Sequence, residues 1–149
     1  MIIIRQAVND DLPQLAGLFN EYRIFYRKEP DMEAAKIFLR DRIQNNESVI
    51  YVAVENKRLA GFTQLYPQFS STRMRRSWLL NDLFVAEEYR SRGISKQLIN
   101  AAKQLAKETN SAGLLLETEK TNIIGNQLYP SAGFLIYNKT NFYWWENNE

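Results

Sequence analysis

The chain predicts a mixed α/β fold: a mostly antiparallel central sheet of about seven strands flanked by about four helices. Three observations carry this. Strand-type and helix-type hydrophobic periods follow one another in the order β α α β β β α β α β β, without repeats or low-complexity stretches. Two strand-like runs meet at the tight-turn sequence Glu55-Asn56-Lys57, the signature of a β-hairpin. The run Leu79 to Val85 then passes through a short glycine-bearing turn straight into an amphipathic helix.

Taken in order, Ile2 to Ala7 is the first strand. Asn9, Asp10 and Asp11 supply capping side chains for a helix whose apolar face is Leu12, Leu15, Ala16, Phe19, Tyr22 and Phe25. Pro30-Asp31 opens a second helix with Met32, Ala35, Phe38, Leu39 and Ile43 on its inner stripe, closed by Asn45-Asn46. Val49 to Val54 and Arg58 to Tyr66 are the hairpin strands. Pro67 to Thr72 reads as a loop or bulge before a third strand that runs to Val85. Ile94, Leu98, Ala101, Ala102 and Leu105 form the stripe of the next helix. Leu114-Leu115-Leu116 is a short continuous apolar run, as expected of a strand buried on both faces. Asn122 to Ala132 is a short helix punctuated by Gly133, and Phe134 to Tyr137 with Asn141 to Trp145 give a closing pair of strands.

A chain of 149 residues, 45% hydrophobic and 24% charged, fits one domain over residues 1–149 and is long enough to bury a core. Its net charge of +2, from 19 basic against 17 acidic side chains, is too small to point to a nucleic-acid partner. No apolar run approaches the about 18 residues of a membrane span, and no charged leader precedes Ile2-Ile3-Ile4. A cytoplasmic protein without a membrane partner is the expectation. With no cysteine, disulfides, thiolate metal sites and a Cys nucleophile are excluded. With no histidine, the commonest general base and transition-metal ligand are missing too. No metal is therefore expected, and acid–base chemistry falls to carboxylates, Tyr, Lys or held water.

The turn Arg90-Ser91-Arg92-Gly93-Ile94-Ser95 lies between strand and helix. N–H groups that begin a helix lack intrahelical partners, and the helix macrodipole adds partial positive charge there, which suits a phosphate or pyrophosphate. A glycine helps because a Cβ would hold the ligand off the backbone. Arg90 and Arg92 are candidate phosphate contacts, or a solvated basic surface.

Downstream, Asn122, Tyr129, Gly133 and Phe134 stand in the pattern Asn-x6-Tyr-x3-Gly-Phe. The two segments together resemble the GNAT superfamily of acyl-CoA-dependent N-acetyltransferases, whose pyrophosphate loop reads Arg/Gln-x-x-Gly-x-Gly/Ala. Ser95 departs from that pattern, but it is small and can donate to phosphate. The resemblance implies a GNAT-like sheet with a splayed central strand pair and acetyl-CoA as co-substrate. It implies that the backbone around Leu83, Phe84 and Val85 holds the thioester carbonyl and pantetheine amides, where a backbone N–H can meet the developing oxyanion. It implies that Arg90, Arg92, Gly93, Ile94 and Ser95 bind pyrophosphate and that Asn122 contacts the cofactor arm. Tyr129 is then the general acid that returns a proton to the leaving thiolate. Tyr129 also reads as an inner-face aromatic of its helix, and Asn122 as that helix's N-cap.

The acceptor side is less defined. Polyamine acetyltransferases of this superfamily carry Glu-Asp on the comparable strand, whereas this chain has Asn81-Asp82. Asp82 is the candidate base or ammonium anchor, or a structural hydrogen-bonding group, and strand alternation places Asn81 and Asp82 on opposite faces. Tyr22 and Tyr26, with Phe25, either wall an amine pocket, offering π-faces to a cation, or pack as core. Asn81 joins them as a candidate substrate contact. Arg73-Met74-Arg75-Arg76 reads as a solvated strand end, with Arg73 and Arg75 on one face. The segment Phe142-Tyr143-Trp144-Trp145 is aromatic on both strand faces, which admits a homodimer.

The function so implied is direct transfer of acetyl to a primary amine of a small molecule: a polyamine, an amino acid or an aminoglycoside-like compound. Without Cys or His, a ternary complex is favoured over a covalent acyl-enzyme. Two alternatives stand beside it: acetylation of protein lysine or N-terminal amines, and a regulatory module that binds acyl-CoA without turnover.

Overall fold

The computed structural model describes residues 1–149 in two compact units, Met1–Glu117 and Thr118–Glu149. The first unit holds one open sheet of five strands in the order β1-β2-β3-β4-β5. These are β1 (Ile3–Gln6), β2 (Val49–Glu55), β3 (Arg58–Ser70), β4 (Arg75–Val85) and β5 (Leu114–Leu115). The first four run antiparallel, and β5 joins β4 in parallel.

Helices α1 (Leu12–Phe25) and α2 (Met32–Gln44) cover one face of the sheet, and α3 (Ile94–Glu108) covers the other. On the first face Leu15, Phe19 and Leu39 meet Val52, Phe62 and Phe84. On the second, Ile94 and Leu98 meet Ala53, Ala60 and Val85. Leu15, Leu39, Phe62 and Leu98 are fully buried, each worth about 2 kcal/mol against exposure to water. The apolar period thus places these helices as the sequence predicts, although Phe25 and Met32, expected on the inner stripes, lie half exposed.

Two β-bulges set which side chains reach which face. Leu65 pairs with Leu80 and Gln64 with Asp82, which leaves Asn81 as an extra residue on β4. One extra residue reverses the side-chain alternation beyond it. Before the bulge Trp78 reaches the end of α3, its indole N–H donating to Thr109 Oγ1 at 2.9 Å. After it, Phe84 and Asp82 turn to the α1 and α2 face. A second bulge at Ala60 follows from the pairs Val54 with Leu59 and Ala53 with Gly61.

Four expectations are corrected. The sheet has five strands rather than seven: Phe134 to Tyr137 and Asn141 to Trp145 form no strand. A strand requires partners for its backbone groups and a covered face. Neither segment is laddered, and Leu135, Ile136, Tyr143 and Trp144 stand exposed. Of the expected loop or bulge from Pro67 to Thr72 only the turn at Ser71 and Thr72 is seen, because β3 continues to Ser70 with Pro67 opposite Trp78. Trp78 sends its N–H to Gly113 instead, at 3.1 Å, so this is a non-hydrogen-bonded pair. The proline nitrogen faces an edge that β2 has already left, β2 having begun at Val49 opposite Leu65. Arg73 lies in the β3–β4 turn rather than on a strand face with Arg75. Finally, Asp11 does not cap α1; its carboxylate takes two bonds from Arg5, at 2.7 and 2.9 Å, and one from the Val8 N–H.

In the second unit, α4 (Ile123–Ser131) starts at Asn122 and ends at Gly133, whose φ is +94°. The Phe134 N–H donates to Tyr129 O and the Gly133 N–H to Pro130 O, both at 3.0 Å. That is a Schellman cap, and the Phe134 ring meets Tyr129 edge-on at 6.0 Å, the apolar contact such caps carry. The Tyr-x3-Gly-Phe spacing thus has a folding reason of its own. No helix of the chain is long and apolar enough to cross a membrane.

Candidate active site

The turn after β4 is built to leave the start of α3 open. Gly93 is the N-cap in a left-handed conformation, φ +76°, and no side chain caps the helix. A Cβ placed on Gly93 would meet nothing within 4 Å, so the space beside the N-cap is open. Ile94 is buried and locks the helix start to the core, while Ser95 is partly exposed at the mouth. The N–H groups of this first turn have no helical partners, which is the arrangement that receives a phosphate.

Two arginines shape the turn. Arg90 folds back, its Nε donating to Val85 O at 2.9 Å and its guanidinium lying 5.4 Å from the Phe84 ring centre. Arg92 gives both terminal nitrogens to Glu55, at 3.0 and 2.8 Å. Hydrogen bonding to Arg92 is the main reason the Glu55 carboxyl is held down at about 2.

The edge of β4 beside the turn lacks a strand partner. β5 pairs only with Trp78 and Leu79, so Leu80 to Val85 are unladdered on that side. The Ala86 N–H bonds Ala60 O, toward β3, at 2.8 Å. Alternation then turns the backbone groups of Leu83 and Val85 toward the unladdered edge and those of Phe84 toward β3. The unladdered stretch lies beside the two-residue β5, the last strand of the sheet, and the Val85 carbonyl on it is taken by Arg90. Phe84 contributes its ring to the core.

In the second unit Asn122 is the N-cap of α4: its Oδ1 accepts from the Gly125 N–H, and its Nδ2 donates to Thr118 Oγ1, each at 3.0 Å. Tyr129 lies in the last turn of the same helix.

Asp82 sits at the centre of the other cluster, 4% exposed. Gln64 Nε2 donates to its Oδ2 at 2.7 Å and Asn81 Nδ2 to its Oδ1 at 3.1 Å. The Tyr22 hydroxyl, 3.4 Å from Asn81 O, is also a hydrogen-bond partner of the carboxylate. Every one of these neighbours donates, which favours the charged carboxylate, yet burial outweighs them and raises its pKa above the usual range. The bulge at Asn81 explains how Asn81 and Asp82 touch although strict alternation would separate them.

Aromatic rings stand around this carboxylate. Tyr22 packs edge-on against Phe62, Phe84 and Tyr26, with Tyr26 at 5.1 Å. Tyr66 is close enough to feel the Asp82 charge; burial first, and that charge second, push its phenol up to about 12. Tyr22 and Tyr26 stand together here, whereas Asn81 and Asp82, expected on opposite strand faces, touch because of the bulge. Gln64 and Tyr66 were not legible in the sequence, since neither belongs to a motif. The only signal was a polar Gln64 on a strand with apolar neighbours.

A model of the acetyltransferase (GNAT) family matches residues 12–134, spanning the open turn, Asp82 and the Asn122–Phe134 segment. The chain belongs to the GNAT family. The uncharacterized N-acetyltransferase YhfO of Bacillus subtilis (strain 168) is 46% identical over 131 residues, 88% of each chain. A probable acetyltransferase of Haemophilus influenzae is 34% identical over 123 residues, 82% of each. The crystal structure of a probable acetyltransferase superposes with a TM-score of 0.93 at 38% identity, covering 99% of both chains. This GNAT protein is therefore an N-acetyltransferase. GNAT enzymes take acetyl-CoA as co-substrate, and the uncapped α3 start over Gly93 with the unladdered β4 edge is a shape that fits its pyrophosphate and pantetheine arm.

Proposed function

We propose that this enzyme moves an acetyl group from acetyl-CoA directly to a primary amine of a small cationic molecule, such as a polyamine, an amino acid or an aminoglycoside-like compound. The observation that carries the acceptor half is Asp82: a nearly buried carboxylate ringed by donors, under an exposed Asn81 and beside the Tyr22 and Tyr26 rings. An ammonium group suits that place, taking charge from the carboxylate and π-faces from the tyrosines.

An ammonium cannot attack a carbonyl until it loses a proton. Asp82 accepts that proton, and its raised pKa brings it closer to the working range of a base. The amine nitrogen then bonds to the thioester carbonyl carbon and gives up its second proton, the carbon–sulfur bond breaks, and one proton goes to sulfur. Tyr129, which matches the family segment, is the group proposed to give sulfur its proton, and the proton released by the nitrogen restores the phenol. The α3 start and the Leu83 and Val85 backbone hold the donor, so chemistry occurs in a ternary complex. The cytoplasm, where acetyl-CoA and free amines coexist, is the compartment this reading requires.

Release of free thiol from acetyl-CoA, followed across a panel of small amines and lysine peptides, tests the proposal. Turnover with small primary amines, and none without an acceptor, is expected. Tight CoA binding with no turnover on any amine contradicts it, and preference for the peptides replaces the acceptor class.

A further inference from the structure

We infer that Glu55 is a positioning residue of the donor site: from the end of β2 it holds the Arg92 side of the phosphate turn so that the start of α3 stays aligned to receive pyrophosphate. The inference rests on the acetyl-CoA reading given above and adds a residue outside both family segments.

The turn is anchored on either side of a strained residue. Ser91 has φ +63°, a left-handed conformation that costs a non-glycine residue energy and persists where its surroundings fix it. On one side Arg90 ties back to Val85 O, five residues away in sequence. On the other Arg92 reaches across 37 residues to Glu55 with a two-pronged pair. The Arg92 guanidinium also lies 5.7 Å from the Tyr89 ring centre, and Tyr89 itself packs against both core clusters. Gly93 follows directly, and α3 starts at Ile94. Moving Arg92 therefore moves the helix N-cap.

This geometry also decides what Arg92 does. Each of its terminal nitrogens gives one N–H to Glu55, whose carboxyl, held down at about 2, stays charged throughout the working range. Arg92 acts as a strut, and phosphate charge is met by the helix start. A fork-to-fork guanidinium–carboxylate pair fixes orientation as well as distance, which a single contact does not.

The test uses the full chain with Glu55→Ala, Glu55→Gln, Arg92→Ala and the Glu55→Ala/Arg92→Ala double variant. Calorimetric titration with CoA is combined with steady-state kinetics on the best amine. Glu55→Ala should raise KM for acetyl-CoA and weaken CoA binding by about tenfold, the size of effect that coupled neighbours show. kcat at saturating acetyl-CoA and KM for the amine should not move, a split that general destabilisation does not produce. The double variant should be no weaker than either single one, and Glu55→Gln, which keeps one acceptor oxygen, should fall between. Circular dichroism confirms that each variant is folded. CoA binding by Glu55→Ala as tight as wild type overturns the inference, and tighter binding overturns it in favour of Arg92 as a phosphate ligand that Glu55 restrains. A wild-type protein that does not bind CoA overturns the donor reading, and this inference with it.

Discussion

Gln64 joins Ser48 to Asp82: its Oε1 accepts from the Ser48 hydroxyl at 2.8 Å, and its Nε2 donates to Asp82 Oδ2 at 2.7 Å. The charged carboxylate only accepts, so it turns the Nε2 end of the amide to Asp82, and the rotatable Ser48 hydroxyl donates to the oxygen left over. Gln64 is itself fully buried, and no buried side-chain polar atom in the chain lacks a partner.

Gln64→Leu tests this link. Removing one partner of a buried hydrogen bond to a charged group should lower stability by about 2 kcal/mol, read by chemical denaturation near neutral pH. The same variant should shift activity. Burial raises the Asp82 pKa above 3.8, and the Gln64 bond opposes that rise. The carboxyl therefore contributes its full stability below 3.8 and loses it as pH rises through the folded value. As a base it works only above that value. The acid limb of kcat/KM should lie above 3.8 in the wild type and move higher still in Gln64→Leu; a limb unmoved by the substitution contradicts the relay.

Gly93→Ala separates backbone strain from ligand contact. A Cβ there meets nothing, so the free protein feels only the φ of +76°, about 1 to 2 kcal/mol for an L-residue. On the donor reading proposed above, the same Cβ would hold the pyrophosphate off the backbone of the α3 start. KM for acetyl-CoA should rise by about tenfold with kcat little changed, since the lost contact is a binding one.

Much of this site was legible in the sequence because it rests on local rules. The strand, the glycine turn and the amphipathic α3 follow from residue spacing between Leu79 and Leu105, and the structure builds all three. The Asn56–Lys57 hairpin and the Asp31 cap of α2 are equally local. What escaped depends on register between distant strands. The bulge at Asn81 exists only relative to Gln64 and Leu65, and it decides the face of Asp82. Pro67 reads as a breaker until the end of β2 is known to leave its nitrogen unpaired. Arg92 reads as a phosphate contact or a solvated basic group, and its pair with Glu55 exists only once β2 brings that residue beside it. The aromatic alternation of the last residues resembles strand periodicity, but periodicity alone supplies no ladder partner.

Gly125→Ala probes Asn122. The new Cβ would lie 2.6 Å from Asn122 Nδ2, so the amide must swing away from the Gly125 and Thr118 bonds. Losing the cap costs about 1 kcal/mol, and alanine in place of glycine in a helix returns about as much. Thermal stability should therefore hardly change. KM for acetyl-CoA should rise if Asn122 touches the cofactor arm, and an unchanged KM reduces Asn122 to a cap.

Lys57→Gly addresses the hairpin alone. Asn56 and Lys57 have φ of +50° and +65°, a type I′ turn in which glycine is favoured at the second position. The Lys57 carbonyl that accepts from Gln14 at 3.0 Å is backbone and survives. After the entropic penalty of glycine, stability should rise by about 0.5 to 1 kcal/mol, with kinetics unchanged. A drop in stability would show that the Lys57 side chain contributes more than its conformation costs.

The most direct test of the account is kcat/KM for acetyl transfer in Asp82→Asn, measured with the best amine alongside CoA binding. Asparagine keeps the shape and removes the charge and the proton-accepting oxygen. A loss of at least about a hundredfold in kcat/KM, the usual contribution of a positioned base, is expected with CoA affinity unchanged. Activity within a few-fold of wild type would contradict the assignment of the Asp82 cluster as the acceptor end of this enzyme.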